Sequence, residues 1–218
     1  MIKTLTNPEL CKYLSSQLSA FFPDNTPLTK LEYIVDKSLL RLEFCFSHVA
    51  TPSYSRNSEP MFNHLNSDHY TTFIYYCSNV AYQENCVELA SKLFYLNKTL
   101  NSFHCMYDTE LPDIFLVFHA AGTILGKAKY SNYFICLQGC TVGANADIEY
   151  PVLDEFVLMY PNSSIIGDSN IGKYSCIASG AFVNDTNIEP NKLVIERSPN
   201  LIIKESKKDR FSAFFKSY

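Results

Sequence analysis

The sequence predicts an α+β protein in which an N-terminal helical domain precedes a parallel β-helix made of hexapeptide repeats. Apolar residues recur every six positions from residue 118 to residue 183, a period that fits neither a helix nor a simple strand. All seven glycines lie at Gly122 or later, so the first part of the chain reads as packed helices and the second as turn-rich β structure. We expect the helical domain over 1–112, the β-helix over 113–203 and a tail over 204–218.

Capping residues and apolar stripes predict four helices in the first domain. The first spans 8–21, where Asn7 can act as the N-cap and Pro8 lies in the first turn. The segment Pro23-Asp24-Asn25 is expected to end this helix. The remaining helices are predicted over 27–49, 67–83 and 85–100, with a polar loop at 51–60 and a connection to the β-helix at 101–117.

Two series of six-residue steps define the side chains expected to point into the β-helix. The first series is Phe118, Ile124, Tyr130, Cys136, Val142 and Ile148. The second series is Leu153, Met159, Ile165, Ile171, Ile177 and Val183. The two series fall out of phase over 144–152, which predicts a loop that leaves the prism there. The alternative, a set of evenly spaced antiparallel strands, would require two runs of six to arise by accident.

Composition excludes several classes of function. The 218 residues carry a net charge of −4 without a basic run, so nucleic acid is not an expected partner. The chain has no apolar run of eighteen residues and no signal-peptide core at Met1, so we expect no membrane association and a cytoplasmic location. None of the eight cysteines forms a C-x-x-C pair, and no metal site is expected. Reduced, structural cysteines are the preferred interpretation.

One segment of the β-helix carries a recognisable pattern, His119-Ala120-Ala121-Gly122-Thr123-Ile124-Leu125-Gly126. It resembles the serine O-acetyltransferases, in which the acyltransferase histidine is followed by a small residue, Gly-Thr, an apolar pair and Gly. The segments 138–143, 150–153 and 165–172 are similar to the next coil, the loop exit and the later coils of that family. The resemblance covers roughly residues 85–204 and includes a helical domain ahead of the β-helix.

The resemblance implies a left-handed β-helix that binds acetyl-CoA as co-substrate in a groove between neighbouring subunits of a homotrimer or a dimer of trimers. It implies that His119 is the general base that takes the proton of an acceptor hydroxyl, a role that suits an imidazole near neutral pH. The alternative for His119 is a turn histidine without a role in a reaction.

Further residues are candidates through the same resemblance. For catalysis, one of the nearby acids Asp108, Glu110 and Asp113 could orient His119. Asp113 is the preferred candidate, and its alternative is a solvated or turn carboxylate. For the acceptor, Asp68 could reach the pocket or cap the third helix, a role Ser67 could also fill, and Gln138 could bind the acceptor or cover the coil edge. The residues expected near CoA are Gly143, Ala178, Lys173 and Arg197, of which the two cations could instead line a solvated face.

Three positions depart from the family pattern, and all three bear on the acceptor. Phe118 replaces the acid that usually precedes the histidine, and His104 stands where the family has an orienting Asp fifteen residues earlier. Tyr150 replaces the second histidine at the loop exit, and a phenol cannot supply that residue's charge. His104 and Tyr150 therefore remain candidate acceptor-binding residues.

Three functions stay open from the sequence. The first is acetyl transfer to the hydroxyl of L-serine, and the second is acetyl transfer to a sugar hydroxyl or amino group in surface polysaccharide synthesis. The third is a non-catalytic scaffold, in which the tail could dock a partner through Phe211, Phe214 and Phe215. The basic tail residues Lys204, Lys207, Lys208 and Arg210, followed by these aromatic residues, suggest a short amphipathic helix.

Overall fold

A computed structural model describes residues 1–24, 26–206 and 209–216. Asn25, Lys207 and Lys208, which belong to the predicted helix end and to the basic part of the tail, lie outside the described residues. The helices are α1 Asn7–Phe21, α2 Leu31–Ser47, α3 Ser67–Gln83 and α4 Val87–Asn101. The predicted order of four helices before a β-helix is confirmed. The second helix is shorter than predicted, because its first turn begins only at Leu31.

The caps of two helices differ from the prediction. Thr6, and not Asn7, caps α1, because Thr6 and Glu9 exchange hydrogen bonds between side chain and backbone in a capping box. Asn66 caps α3 through Oδ1, which accepts hydrogen bonds from the backbone N–H groups of Asp68 at 3.0 Å and His69 at 3.3 Å. The carboxylate of Asp68 is therefore not needed as a cap and is available for another contact.

Helix α3 forms the centre of the helical domain. Every residue from His69 to Ala81 is buried, and the helix packs between α2 and α4 and against the first coil of the β-helix. Tyr75 ties α3 to the connecting segment, since its hydroxyl donates to the carbonyl of Thr109 at 2.9 Å and accepts from the N–H of Leu111 at 2.9 Å. None of the described helices has the length and hydropathy needed to cross a membrane.

The predicted polar loop at 51–60 contains regular structure. It holds a 3₁₀ turn, Pro52–Tyr54, and part of a small sheet whose strands are β1 Ile2–Lys3, β2 Ser55–Arg56 and β3 Glu59–Phe62. Strand β1 pairs parallel to β3, and β2 pairs antiparallel to it. Tyr54 is only 1% exposed and packs into the core, although most of the other residues of this connection are exposed.

The second part of the chain is a parallel β-helix of roughly five coils. Its strands are β4 His104–Cys105, β5 Phe115–Val117, β6 Ile124–Leu125, β7 Lys129–Tyr130, β8 Phe134–Cys136, β9 Thr141–Gly143, β10 Val152–Leu153, β11 Leu158–Met159, β12 Ser164–Ile166, β13 Asn170–Ile171, β14 Cys176–Ile177, β15 Phe182–Asn184, β16 Lys192–Ile195 and β17 Ile202–Glu205. They form a six-stranded sheet (β5-β8-β11-β14-β16, with β17 antiparallel at the edge), a five-stranded sheet (β4-β6-β9-β12-β15) and a three-stranded sheet (β7-β10-β13). From β5 to β13 the chain visits the three sheets in this order in each coil.

The predicted inward residues are confirmed for the second series and for part of the first. All six members of the second series are at most 1% exposed, and Cys136 and Val142 are fully buried. Three predictions are wrong, because Phe118 is only half-buried and Ile124 and Ile148 are 44% and 68% exposed. Strand pairing shows that Val117 and Leu125 point inward instead, since Val117 pairs with Cys136 and Leu125 with Val142.

The described part of the tail is not a helix, contrary to the prediction. Residues 209–216 form a turn, after which Phe215 makes an antiparallel bridge to Val49 in the helical domain. Phe211 and Phe215 are 5% and 2% exposed, so their rings are buried within this protein. Lys204 belongs to β17, which returns along the last strand of the prism.

Candidate active site

Four of the candidate residues lie on one corner of the prism, which we call the histidine corner. It is formed by the turns that lead from the six-stranded to the five-stranded sheet. These turns are residues 118–123, 137–140, 160–163 and 178–181, continued at 196–197. Backbone hydrogen bonds stack these turns, for example from Gly139 N–H to the carbonyl of Ala121 and from Gly180 N–H to that of Pro161, each at 3.0 Å. The candidate residues on this corner are His119, Gln138, Ala178 and Arg197.

His119 is presented outward by an uncommon backbone conformation. Its φ of +53° lies in the left-handed region, and its side chain is 74% exposed. Gly122 also has a positive φ, +75°, which lets the chain turn back into β6 after the histidine. The extra turn explains the error in the sequence prediction, because this corner holds more residues than a regular six-residue step allows.

Asp68 contacts His119 from the helical domain. Oδ1 of Asp68 accepts a hydrogen bond from the backbone N–H of His119 at 2.9 Å, and Oδ2 lies 4.0 Å from Nδ1 of the imidazole. The Asp68 side chain is 13% exposed, and this burial raises the pKa of its carboxyl, while the contacts with His119 act in the opposite direction. The carboxylate can therefore hold the backbone of His119 and stabilise its protonated ring.

A cleft of about 270 Å³ opens beside this pair. It lies between the first turn of α3, the end of α4 and the histidine corner, and its lining includes Asp68, Thr71, Ser102, His119 and Ala121. Thr71 Oγ1 is buried and has no hydrogen-bond partner among the described residues. The cleft thus offers a carboxylate and an imidazole to a polar ligand, with the unpaired hydroxyl of Thr71 buried behind its lining.

Gln138 lies one coil from His119 on the same corner. Its backbone carbonyl accepts from the N–H of Asn162 at 3.0 Å, whereas its side-chain Oε1 is buried and unpaired within the described part of the chain. A buried amide without a partner is an available hydrogen-bonding group for a ligand that runs along the corner.

Two candidates lie at a different corner, between the three-stranded and six-stranded sheets. Asp113 is exposed and precedes β5, whereas His119 follows that strand, so the structure does not bring Asp113 to the imidazole. The carboxylate in contact with His119 is that of Asp68. Lys173 follows β13 at the same corner as Asp113 and forms an ion pair with Glu155 at 2.7 Å.

Gly143 and Tyr150 occupy the third corner, between the five-stranded and three-stranded sheets. Gly143 ends β9, and the chain then forms the predicted loop before β10 begins at Val152. The Tyr150 side chain is 43% exposed in this loop.

On the histidine corner, Arg197 lies 4.9 Å from the ring of Phe182 and donates to the carbonyl of Gly180 at 3.3 Å.

His104 lies on the five-stranded sheet, away from the imidazole of His119. It pairs with Ile124 in the next coil, and its ring meets the ring of Phe94 edge-on at 5.1 Å. Partial burial and the nearby charge of Lys98 lower the pKa of His104. Within residues 1–24, 26–206 and 209–216, no group of three His, Cys, Asp or Glu side chains is arranged to hold a metal ion.

No pattern in the sequence predicts the groups that lie behind Asp68. Tyr54 and His69 are buried with ring centroids 4.3 Å apart, and Nδ1 of His69 accepts from the N–H of Asn63 at 3.2 Å. Burial lowers the pKa of His69 to about 4, so its ring is neutral near pH 7. Burial, with a smaller contribution from Asp68, raises the pKa of Tyr54 well above its usual value.

No protein-family model and no curated protein sequence matches this chain. Solved structures do. The serine acetyltransferase of Vibrio cholerae O1 biovar El Tor is 15% identical with a TM-score of 0.71, covering 94% of this chain and 81% of its own. The serine acetyltransferase of Neisseria gonorrhoeae is 18% identical with a TM-score of 0.68, and the match covers 91% of this chain and 79% of that one. A serine acetyltransferase in complex with CoA is 16% identical with a TM-score of 0.65, and the match covers 91% of this chain and 84% of that one. This chain therefore has the fold of the serine acetyltransferases.

Proposed function

We propose that this protein is an acetyl-CoA-dependent O-acetyltransferase in which His119 acts as the general base. The observation that carries the proposal is the pairing of an exposed imidazole with a mostly buried carboxylate, Asp68, at the edge of a cleft. The shared fold supports it, since one of the similar structures is a complex with CoA. We assign the chain to the serine O-acetyltransferase family on the fold and on the His119–Gly126 pattern together.

The chemistry follows from the orientation of the imidazole. Nδ1 of His119 faces Asp68, which leaves Nε2 to accept the proton of the acceptor hydroxyl. As that proton leaves, the acceptor oxygen forms a bond to the acetyl carbonyl carbon, and the bond from this carbon to the CoA sulfur breaks. The imidazolium then returns the proton to the departing thiolate. The negative charge of Asp68 stabilises the imidazolium between these two transfers, and a positioned base of this kind accelerates transfer on the order of 10²–10⁴-fold.

The acceptor is small and polar in this proposal, because the cleft holds about 270 Å³ and its lining includes Asp68 and His119. L-Serine is the acceptor that the fold suggests first. A sugar hydroxyl or amino group is the second candidate, and one observation favours it. The cleft lining contains no Lys or Arg within the described chain, so only His119 there could pair with the carboxylate of an amino acid.

CoA is proposed to lie along the histidine corner, where Gln138, Ala178 and Arg197 lie in coils that follow the coil of His119. Gly143, Tyr150 and Lys173 lie at the other two corners, so they could reach the same groove only from a neighbouring copy. For these residues to act at the site, the protein must form an oligomer, and we propose a homotrimer or a dimer of trimers.

The experiment that tests the proposal compares the purified wild-type protein with His119→Ala. Release of CoA thiol from acetyl-CoA is followed with L-serine, then with a set of nucleotide sugars and amino sugars. We expect turnover with one acceptor class and its loss by at least about 100-fold in His119→Ala, without dissociation of the oligomer. Full activity of the variant would refute the assigned base.

A non-catalytic scaffold is distinguished by a binding measurement. A ligand that binds only the folded state raises the melting temperature, so millimolar acetyl-CoA should stabilise both the wild-type protein and His119→Ala. No thermal shift in either protein, together with no turnover, would favour the scaffold function.

A further inference from the structure

The C-terminal tail connects the two domains next to the candidate active site. Its end is attached to the helical domain, because Ala50 N–H donates to the carbonyl of Phe214 at 2.8 Å and Lys216 N–H donates to that of His48 at 2.9 Å. Closer to the β-helix, the ring of Phe211 lies edge-on to Phe156 at 5.5 Å. The tail therefore spans from the prism to the segment between α2 and β2.

Within this span, Phe214 contacts the residue that precedes the candidate base. The rings of Phe214 and Phe118 are 5.5 Å apart, and the ring of Phe118 is 5.9 Å from that of Tyr54 in an edge-on contact. Phe118 therefore lies between an aromatic residue of the tail and one of the helical domain. Its backbone N–H also donates to the carbonyl of Cys136 at 2.9 Å, which fixes it to the next coil.

His119 needs such support because its backbone conformation is unfavourable for a residue with a side chain. A non-glycine residue with φ near +53° is strained and persists only where its surroundings hold it. Asp68 holds the His119 N–H on one side. If Phe118 lost its aromatic neighbours, the peptide between Phe118 and His119 could rotate towards an extended conformation, which would remove the hydrogen bond to Asp68 and turn the imidazole away from the cleft.

We propose that Phe214 is a positioning residue that, through its contact with Phe118, keeps His119 in the left-handed conformation required at the site. The inference rests on the proposed function, in which His119 is the general base. In this proposal the tail acts within its own chain. The sequence alone had instead left open that the tail docks a partner protein.

The test compares Phe214→Ala with Phe211→Ala, a matched loss of one aromatic ring from the same tail. Phe211 contacts Phe156 and Tyr174 instead of Phe118, and the bridge from Phe215 to Val49 anchors the tail end without it. We expect Phe214→Ala to lower kcat about tenfold with the KM for acetyl-CoA unchanged. Phe211→Ala should lower the melting temperature but leave kcat within about twofold of wild type. A tenfold effect corresponds to about 1.4 kcal/mol.

A second readout does not depend on turnover. Hydrogen exchange of the His119 amide reports the bond to Asp68, and we expect it to be about tenfold faster in Phe214→Ala than in the wild-type protein or Phe211→Ala. Phe214→Leu, which keeps apolar volume at the contact, should restore most of the protection and of kcat. Should Phe214→Ala fail to fold, Phe214→Val serves in its place, because it removes the ring that contacts Phe118 but keeps part of the apolar volume. We expect exchange of the His119 amide in Phe214→Val to be faster than in Phe214→Leu.

The outcomes separate the inference from the function on which it rests. If His119→Ala keeps its activity, the assigned base is wrong, whatever the tail variants do. If His119→Ala is inactive but Phe214→Ala and Phe211→Ala have the same kcat and the same His119 amide exchange, the base assignment stands and the positioning role of Phe214 is overturned.

Discussion

Asp68 accepts a hydrogen bond from the backbone N–H of His119 at 2.9 Å, although 51 positions separate the two residues in the sequence. The bond joins the first turn of α3 to the histidine corner of the β-helix. It can form because Asn66 has already capped the helix, which frees the carboxylate of Asp68. The orientation of the candidate base and the packing of the two domains thus depend on the same contact.

The first prediction separates the charge of Asp68 from its hydrogen bond. Asp68→Asn keeps an oxygen that can accept from the His119 N–H but removes the negative charge beside Nδ1, so we expect kcat to fall about 10- to 100-fold. The stability of Asp68→Asn should equal or exceed that of the wild-type protein, because the partly buried carboxylate carries a desolvation cost. Steady-state kinetics and urea denaturation measure the two effects.

Asp68→Ala is the companion variant, since it removes the charge and the acceptor together. It should be less stable than Asp68→Asn by about 1 kcal/mol. Wild-type turnover in Asp68→Asn would show that the carboxylate acts only as a backbone acceptor.

The second prediction concerns acid stability and the buried ring of His69. Its pKa is about 4 in the folded protein, below the ordinary value of 6.5. Between these two values the unfolded chain binds a proton that the folded chain does not bind. With respect to this group, the unfolding free energy is therefore highest above pH 6.5. It decreases as the pH falls from 6.5 to 4, by about 3 kcal/mol in total. Urea denaturation across this pH range gives the slope.

His69→Asn provides the comparison for the pH experiment. An Asn side chain can accept from the Asn63 N–H as Nδ1 of His69 does, but it does not titrate. The difference in unfolding free energy between wild type and variant should shrink as the pH falls from 6.5 to 4. A constant difference over this window would mean that His69 is not the group responsible.

The sequence predicted those parts of the fold that repeat locally. From Leu153 to Val183 each step of six residues places one apolar side chain inside the prism, so one period identifies every inward residue there. The period fails at Phe118 and Ile124, because the first full coil inserts extra residues to build the turn that presents His119. One exception to the repeat is therefore the candidate site itself, and the other is the loop that contains the exposed Ile148.

The residues around His119 were harder to predict, because they come from other elements. Asp68, Tyr54 and Thr71 approach the histidine corner through packing of the helical domain on the β-helix, and no spacing in the sequence records that packing. The sequence indicates Asp68 only as a candidate for the acceptor, and favours Asp113 as the acid that orients His119. Asp113 is near His119 in sequence but lies at the opposite end of β5.

The third prediction concerns a stack of aromatic rings at the corner between the three-stranded and six-stranded sheets. Phe156 lies between Tyr133, at 4.2 Å, and Tyr174, at 4.6 Å, with nearly parallel planes of 6° and 7°. Phe156 is 3% exposed, so Phe156→Ala should lower the unfolding free energy by about 3–5 kcal/mol.

Tyr174→Ala is the control for this stack, since Tyr174 is 37% exposed and loses less buried area on truncation. We expect its cost to be about 1 kcal/mol, measured by urea denaturation under the same conditions. Equal costs for the two variants would show that the stack contributes no more than a surface aromatic residue.

The last prediction tests the close approach of coils after the histidine corner. A Cβ on Gly126 would lie 2.9 Å from the carbonyl oxygen of Val142, which also accepts the Gly126 N–H at 2.8 Å. Val142 cannot retreat, because it pairs with Leu125 on one side and with Ile165 on the other. Gly126→Ala should therefore destabilise the protein by about 1–3 kcal/mol.

Gly143 supplies a matched comparison for Gly126. A Cβ on Gly143 would meet only the flexible Cδ1 of Ile166, at 3.9 Å, which is an ordinary contact. Gly143→Ala should be neutral or stabilising by up to about 1 kcal/mol, because alanine reduces the freedom of the unfolded chain. The two substitutions add the same methyl group to neighbouring coils, so a difference in their urea midpoints isolates the effect of coil spacing. Equal midpoints would mean that the coils can separate at Gly126, and that this glycine is not required for their approach.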